Sequence, residues 1–380
     1  MTGRSRPGAD PARGRVVVAM SGGVDSSVAA GILASQGRDV VGVTIKTHPG
    51  EGGGDGPEHG CCTLDGVNDA RMAAAAIGIP HYVLDFSAKF ESAVIGDFLR
   101  EYRAGRTPNP CVVCNRAIKW ELLLEKAAHL GAGWIATGHY ARVVCARATG
   151  RYHVARPADR AKDQSYALWA LDQESLARTL FPLGDLTKGQ VRKTAASWGL
   201  PNSDRPESFE LCFIPDDDYE RFLRERTGPE GIPEGDILRG GRVVGRHRGI
   251  PFYTVGQRRH LGLSGPTPLY VTSLDAGSNT VTVGSGEELL RGGLRADSLN
   301  MQKYPDLGEG RRLLAMIRYR DEGARALVTQ DGPGRVLVRF EEKRRAVTPG
   351  QSVVFYEGGD CVGGAVIREV LEQEETGGIA

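Results

Sequence analysis

The stretch "RVVVAMSGGVDSSVAAGIL", Arg15 to Leu33, decides how this chain is read. Arg15–Met20 is a short β-branched run of the kind a buried parallel strand shows, and Val28, Ile32 and Leu33 then fall on one helical face. Between them stands "SGGVDSS", Ser21–Ser27. Gly22 and Gly23 permit unusual dihedrals, so successive backbone N–H groups can turn inward as an anion nest, with a helix N-terminus pointing at the same spot. Ser21, Ser26 and Ser27 add hydroxyls, and Asp25 offers a carboxylate for Mg²⁺. The spacing fits neither GxxxxGK[ST] nor GxGxxG. A serine cap on a glycine-rich turn is the bland alternative; the place after a buried strand and before an apolar helix favours a phosphate loop.

Working outward, "DVVGVTI" (Asp39–Ile45), "HYVLDF" and "WIATGHY" (Trp134–Tyr140) read as strands. They alternate with helical stretches: "NDARMAAAAIGI", Ala88–Arg103 and Ala117–Leu130. That alternation predicts βαβ units and a mostly parallel sheet. His48–Gly60 is too glycine-rich to pack and reads as a surface loop. Past Pro206 the chain becomes rich in glycine and arginine. From Leu294 it turns to short alternating runs, "RALVTQ", "GRVLVRF", "QSVVFY" and "GGAVI", which predict a small antiparallel β-barrel. The expected organisation is a disordered 1–14, a catalytic α/β domain at 15–205, a central domain at 206–290, a barrel at 291–370 and a tail at 371–380.

Composition sets limits. The 380 residues carry 40% hydrophobic and 25% charged side chains and a formal net charge of +1, so any basic surface is local. Seven scattered cysteines are not a secreted disulfide framework, and a reduced compartment is expected. The apolar run "VVVAM" is too short for a signal-peptide core, and no segment has the roughly 20 apolar residues of a membrane helix. A cytoplasmic protein is expected.

"TPNPCVVCNRAIKW", Thr107–Trp120, places Cys111 and Cys114 in a CxxC. A zinc half-site, a redox pair, part of an iron–sulfur cluster and an incidental pair are all open. Zinc is disfavoured, because no second close-spaced pair lies nearby. A thiolate nucleophile needs a lowered pKa, which Arg116 and the start of the "RAIKW" helix offer to Cys114. Cys212 in "FELCFI" is flanked by apolar residues, a setting usual for a core cysteine. Cys61, Cys62, Cys145 and Cys361 are read as structural or incidental.

"SGGVDSS" resembles the loop of the PP-loop ATPases, which split ATP between the α and β phosphates and use AMP to activate a carbonyl oxygen. Further strings follow in order: "TPNPCVVCNRAIKW", "ATGHYAR", "KDQSY", "LCFI", "GQRRHLGL", "RYR" and "TPGQSVVFY". Together they resemble the tRNA-specific 2-thiouridylase family, which puts sulfur on carbon 2 of the wobble uridine, from about Arg15 to Ile367.

The resemblance implies ATP and Mg²⁺ as cofactors. It puts the nucleotide on Ala19, Met20, Ser21, Gly22, Gly23, Val24, Asp25 and Ser26, with Ile45 and Gly138 near the adenine. By position Asn109, Pro110 and Cys111 meet the target base, and His139, Lys162, Asp163, Gln164, Arg318, Tyr319 and Gln351 meet tRNA. Cys114 matches the family nucleophile and Cys212 its persulfide carrier, and the two can form a disulfide. The implied partners are lysine, glutamate and glutamine tRNAs and a sulfur-donor desulfurase or relay protein. On that reading the arginines of "GRHRG" and "GQRRHLGL" become candidate phosphate contacts.

One position departs from the pattern. Some members carry aspartate where this chain has Cys111, and a thiol cannot replace it as a general acid. Cys111, Cys114 and Cys212 are enough to hold a [4Fe–4S] cluster with one iron open for sulfide, an alternative sulfur carrier. The remaining alternatives are another PP-loop ligase acting on a small molecule and a tRNA-binding module whose CxxC is structural.

Overall fold

The computed structural model describes residues 14–47, 64–203, 211–214, 216–228, 231–263 and 267–372. The expected N-terminal segment up to residue 13, the His48–Gly60 loop, Cys61, Cys62 and the tail from 373 lie outside the described residues. In chain order the first elements are β1 (Val16–Ala19), α1 (Val24–Ser35), β2 (Val40–Lys46), α2 (Leu64–Ile77), β3 (His81–Asp85), α3 (Ser87–Phe90), α4 (Gly96–Arg103), α5 (Pro110–Cys114) and α6 (Leu123–His129). There follow β4 (Trp134–Thr137), β5 (Arg142–Ala146), β6 (Arg151–Ala155), α7 (Gln173–Ala177), β7 (Thr179–Leu180), α8 (Lys188–Ser197) and α9 (Tyr219–Thr227). The remaining strands are β8 (Gly235–Arg239), β9 (Arg242–His247), β10 (Tyr270–Asp275), β11 (Thr280–Gly284), β12 (Leu290–Met301), β13 (Arg311–Met316), β14 (Ala324–Gln330), β15 (Val336–Arg345), β16 (Ser352–Glu357) and β17 (Asp360–Leu371).

The chain divides into two compact units. One comprises the described parts of 14–91, 114–145 and 152–217; the other comprises 92–113, 146–151 and 218–372. The first is built on a parallel sheet in the order β3-β2-β1-β4-β7. Val16 and Val18 of β1 pack with Ala30 and Leu33 of α1 and with Ala70, Ala73 and Ala74 of α2. A second cluster joins Val24 and Val28 of α1 to Tyr140, Leu183 and, from α8, Val191 and Ala195. The run of small and β-branched residues thus buries as the sequence predicts. With β2 on one side of β1 and β4 on the other, the sheet reverses direction of build at β1, where open α/β sheets place their ligands.

The second unit holds a four-stranded sheet, β10-β11-β8-β9, and an antiparallel barrel. The barrel runs β12-β15-β14-β13-β16-β17 and closes by pairing β12 with β17, so it has no open edge. Its interior is apolar, with Leu294, Val328, Val338, Phe355 and Ile367 among the buried residues.

One helix begins earlier than the sequence suggests. The stretch expected to be helical from Ala117 is helical from Pro110: α5, a π-helical Asn115–Leu122 and α6 follow without a break. Proline suits a first helical turn, where its missing N–H is no loss. The N–H groups of Val112 and Val113 both reach the Asn109 carbonyl, at 3.1 and 3.4 Å. Among the described residues no helix is long and apolar enough to cross a membrane.

Candidate functional site

The loop between β1 and α1 is shaped by its own short side chains. Gly22 has φ +79°, a conformation only glycine adopts without strain, and a Cβ there would meet the Gly66 carbonyl at 2.3 Å. Ser26 Oγ accepts from Ser21 N–H at 3.1 Å and donates to the Gly23 carbonyl at 3.0 Å, and Ser27 Oγ donates to the same carbonyl at 3.1 Å. Met20 leaves the sheet bonded to Val43, and the Thr44 hydroxyl donates to its carbonyl at 2.8 Å. Gly138, just past β4, closes the loop from the side: a Cβ there would lie 2.7 Å from Ser26 N and 2.8 Å from the Asp25 carbonyl carbon. Ile45 sits near the end of β2, half-buried. The geometry is that of an anion cradle at the carboxyl ends of parallel strands.

Lys188 and Asn202, which sequence reasoning missed, complete this cradle. Lys188 Nζ lies 2.7 Å from both carboxylate oxygens of Asp25, and the Tyr140 hydroxyl donates to Asp25 Oδ1 at 2.8 Å. The lysine side chain is only 12% exposed and the aspartate 32%, so the pair is partly shielded from water. Thr187 and Gln190 form a capping box that starts α8, and the Lys188 backbone N–H donates to Asp159 Oδ2 at 2.9 Å, which fixes where the ammonium emerges. The expectation that Asp25 offers a carboxylate to Mg²⁺ therefore meets a carboxylate already engaged; the arrangement does not fit a direct Asp25–Mg²⁺ bond. Paired with Lys188, Asp25 adds little net negative charge at the α1 N-terminus. Asn202, 4% exposed, donates from Nδ2 to the Gly22 carbonyl at 2.7 Å and to Ser27 Oγ at 2.9 Å. Nothing in "LTKGQVR" or "LPNSDR" marks either residue, because only the fold brings them to the loop.

Cys114 ends α5 with helical dihedrals (φ −60°, ψ −46°). It therefore sits inside a continuous helix rather than at a helix start, and the position that the sequence reading gave it belongs to Pro110 and Cys111. The next residue, Asn115, is buried and donates from Nδ2 to the Ala167 carbonyl at 2.9 Å. Trp120, fully buried, donates to Thr179 Oγ1 at 2.7 Å. His139 packs against Trp120 and Phe181 with ring centroids 5.7 and 6.0 Å away, and its Nδ1 shares a 2.7 Å hydrogen bond with Thr137 Oγ1. Burial, assisted by the nearby Lys119 charge, holds His139 well below the usual imidazole range, so it stays neutral at physiological pH.

Cys212 lies in a turn anchored by its apolar neighbours. Phe213 and Ile214 are buried, Phe213 packs edge-on against Phe90 at 5.9 Å, and Cys212 itself stays half-exposed. The residues that suggest a core cysteine thus hold the turn while the thiol remains accessible. Cys111 is exposed and Cys361 buried. Among the described residues there is no disulfide, so the Cys114–Cys212 bond that the resemblance allows is not formed here. A nucleophilic thiolate requires that reduced form. Nor, among the described residues, are three His, Cys, Asp or Glu side chains gathered as a metal site, so the cluster proposed on Cys111, Cys114 and Cys212 finds no assembled ligand set.

The expected tRNA contacts fall into two kinds. Arg318 and Tyr319 are exposed, as are Arg258 and Arg259. The arginines of "GRHRG" are exposed too, but Arg246 pairs with Asp236 and Arg248 with Glu220. Others make internal bonds: Gln164 Oε1 accepts from Tyr140 N–H at 2.9 Å, and Asp163 accepts from Ser165 N–H and pairs with Arg156. Lys162 ends the short 3₁₀ turn Arg160–Lys162.

Residues 14–216 match the family described as the tRNA methyl transferase HUP domain, residues 220–285 its PRC-barrel domain, and residues 291–367 the aminomethyltransferase beta-barrel domain. The chain is 50% identical over 364 residues to the tRNA-specific 2-thiouridylase MnmA of Salinibacter ruber, covering 94% of this chain and 95% of that one. It is likewise 50% identical over 356 residues to the MnmA of Pelotomaculum thermopropionicum, covering 93% and 97%. A solved U34-tRNA thiolase, NcsA from Methanococcus maripaludis with its [4Fe-4S] cluster, is similar at a TM-score of 0.35 and 18% identity over 59% of this chain and 70% of that one, too distant to bear on the chemistry. With relatives half identical along nearly its whole length, the chain belongs to the tRNA-specific 2-thiouridylase family.

Proposed function

We propose that the protein is an ATP-dependent tRNA 2-thiouridylase. The observation that carries this reading is the glycine-built anion cradle at the end of β1, walled by Gly138 and held by Asn202, in a chain of this family. Uracil O2 is a poor leaving group. It attacks the α-phosphorus of ATP and pyrophosphate departs, leaving an O2-adenylated base. Cys212 carries sulfur as a persulfide. The Cys114 thiolate attacks the bridging sulfur of that persulfide, forming a Cys114–Cys212 disulfide and releasing hydrosulfide. Hydrosulfide adds to carbon 2, the C2–O bond breaks, and AMP leaves with the former O2. An external thiol reductant returns the disulfide to two thiols. Asn109, Pro110 and Cys111 face the base in this reading, and His139, Arg318 and Tyr319 meet the tRNA.

The test is direct. Protein, unmodified lysine, glutamate or glutamine tRNA, ATP, Mg²⁺ and a persulfide donor are combined, and pyrophosphate and 2-thiouridine are measured. The reading expects both in equal amounts and only with tRNA present; no tRNA-dependent pyrophosphate sinks it.

A further inference from the structure

Gln351 is expected from the resemblance to touch tRNA, yet its side chain is turned inward within its own unit. Its Nε2 donates to the Thr107 carbonyl at 3.1 Å and to the Pro108 carbonyl at 3.0 Å. A primary amide nitrogen has two hydrogens, so both are engaged. The group left over is Oε1, an acceptor, which can take a tRNA hydroxyl or amino donor but no phosphate oxygen. The turn carrying Gln351 adds a backbone bond from Thr107 N–H to the Pro349 carbonyl at 2.9 Å. Gly350, at φ +91°, lies so close that a Cβ would meet Thr107 O at 2.8 Å and Thr107 N at 2.9 Å. A few residues upstream, buried Glu101 receives Arg106 in a two-pronged bond (2.7 and 2.9 Å), and Arg368 of β17 reaches Glu101 at 3.3 Å and Asp297 of β12 at 2.8 Å.

The need for outside donors follows from the sequence. In "TPNP", Pro108 and Pro110 have no N–H, so the stretch satisfies few of its own carbonyls. We propose that Gln351 is a positioning residue: it fixes the backbone at Thr107–Pro108 and thereby the placement of Asn109, Pro110 and Cys111. The barrel then serves as the mount for the base-facing loop. The proposal rests on the reading of 109–111 as the base-facing residues.

Gln351→Ala separates the two roles. Three quantities are measured: tRNA Kd, the single-turnover thiolation rate at saturating tRNA, and amide hydrogen exchange over residues 107–113. Positioning expects a rate about tenfold lower or less, since small misplacements near the chemistry are costly. It also expects a Kd within about twofold of wild type, as no phosphate contact is lost, and faster exchange over 107–113. Gln351→Glu, whose ionised carboxylate would face two carbonyls, falls at least as far. A raised Kd with an unchanged saturated rate overturns the proposal, as does no change in either. Should Gln351→Ala fail to fold, the shorter Gln351→Asn is read the same way. If the wild-type protein makes no 2-thiouridine, the functional reading fails by itself and hydrogen exchange alone decides: unaltered exchange over 107–113 overturns the clamp.

Discussion

The glycine–serine loop after β1 and the "TPNP" loop are held in opposite ways. In the first, Ser21, Ser26 and Ser27 bond to atoms within five residues of themselves, and the wall glycine and Asn202 secure a shape that the loop already makes. In the second, the prolines remove local donors, and the bonds come from residues 349–351, with Gln351 and Pro108 243 positions apart. A loop that satisfies itself leaves a motif in the sequence. A loop that borrows its donors leaves only a composition, and its geometry depends on a distant part of the same unit.

If sulfur chemistry rests on two cysteines, Cys114→Ser or Cys212→Ser lowers 2-thiouridine formation by about a thousandfold or more. ATP and tRNA affinities should hardly change, and survival of thiolation would make the CxxC structural. Gly138→Ala tests the self-made loop. Its Cβ lands 2.7 Å from Ser26 N, a backbone atom that cannot yield cheaply, so ATP affinity should fall by more than about tenfold in calorimetry. Gly189→Ala, with nothing within 4 Å of its Cβ in helix α8, is the contrast and should stabilise by up to about 1 kcal/mol in a urea melt. Lys188→Met leaves Asp25 with the Tyr140 hydroxyl alone; a loss of about 2 kcal/mol and a higher KM for ATP are expected.

The smallest effect is a pH slope. Burial keeps His139 neutral in the folded chain, so below its ordinary pKa of about 6.5 the unfolded chain binds a proton that the folded chain does not. This contribution to stability is complete above that pH and drains away as the pH falls below it. His139→Gln should flatten the unfolding free energy between about pH 6.5 and pH 5, against the background of His81, which burial shifts in the same direction.

The parallel sheet and the barrel were legible because strand patterning is local: Val16–Val18 of β1 and Ser352–Tyr356 of β16 are buried as their apolar runs imply. The anion cradle was legible because glycine and serine shape it directly. Cys114's setting is not legible, since the helix expected from Ala117 starts at Pro110, a residue suited to a first helical turn. Lys188 and Asn202 were illegible for another reason. A lysine at a helix start and an asparagine in a turn are ordinary surface residues until a parallel fold carries them to a loop more than 160 positions away. Gln351 sat in a recognisable string, but the string does not say which way its amide faces.

The 243-residue separation between Pro108 and Gln351 also has a meaning during synthesis. A ribosome working at about 5–20 residues per second needs on the order of tens of seconds to cover it. Through that interval the Thr107 and Pro108 carbonyls lack the donor that later fastens them. A chain stopped before Gln351 would keep the glycine loop, Gly138, Lys188 and Asn202 and lack the donor that fastens the Thr107 and Pro108 carbonyls.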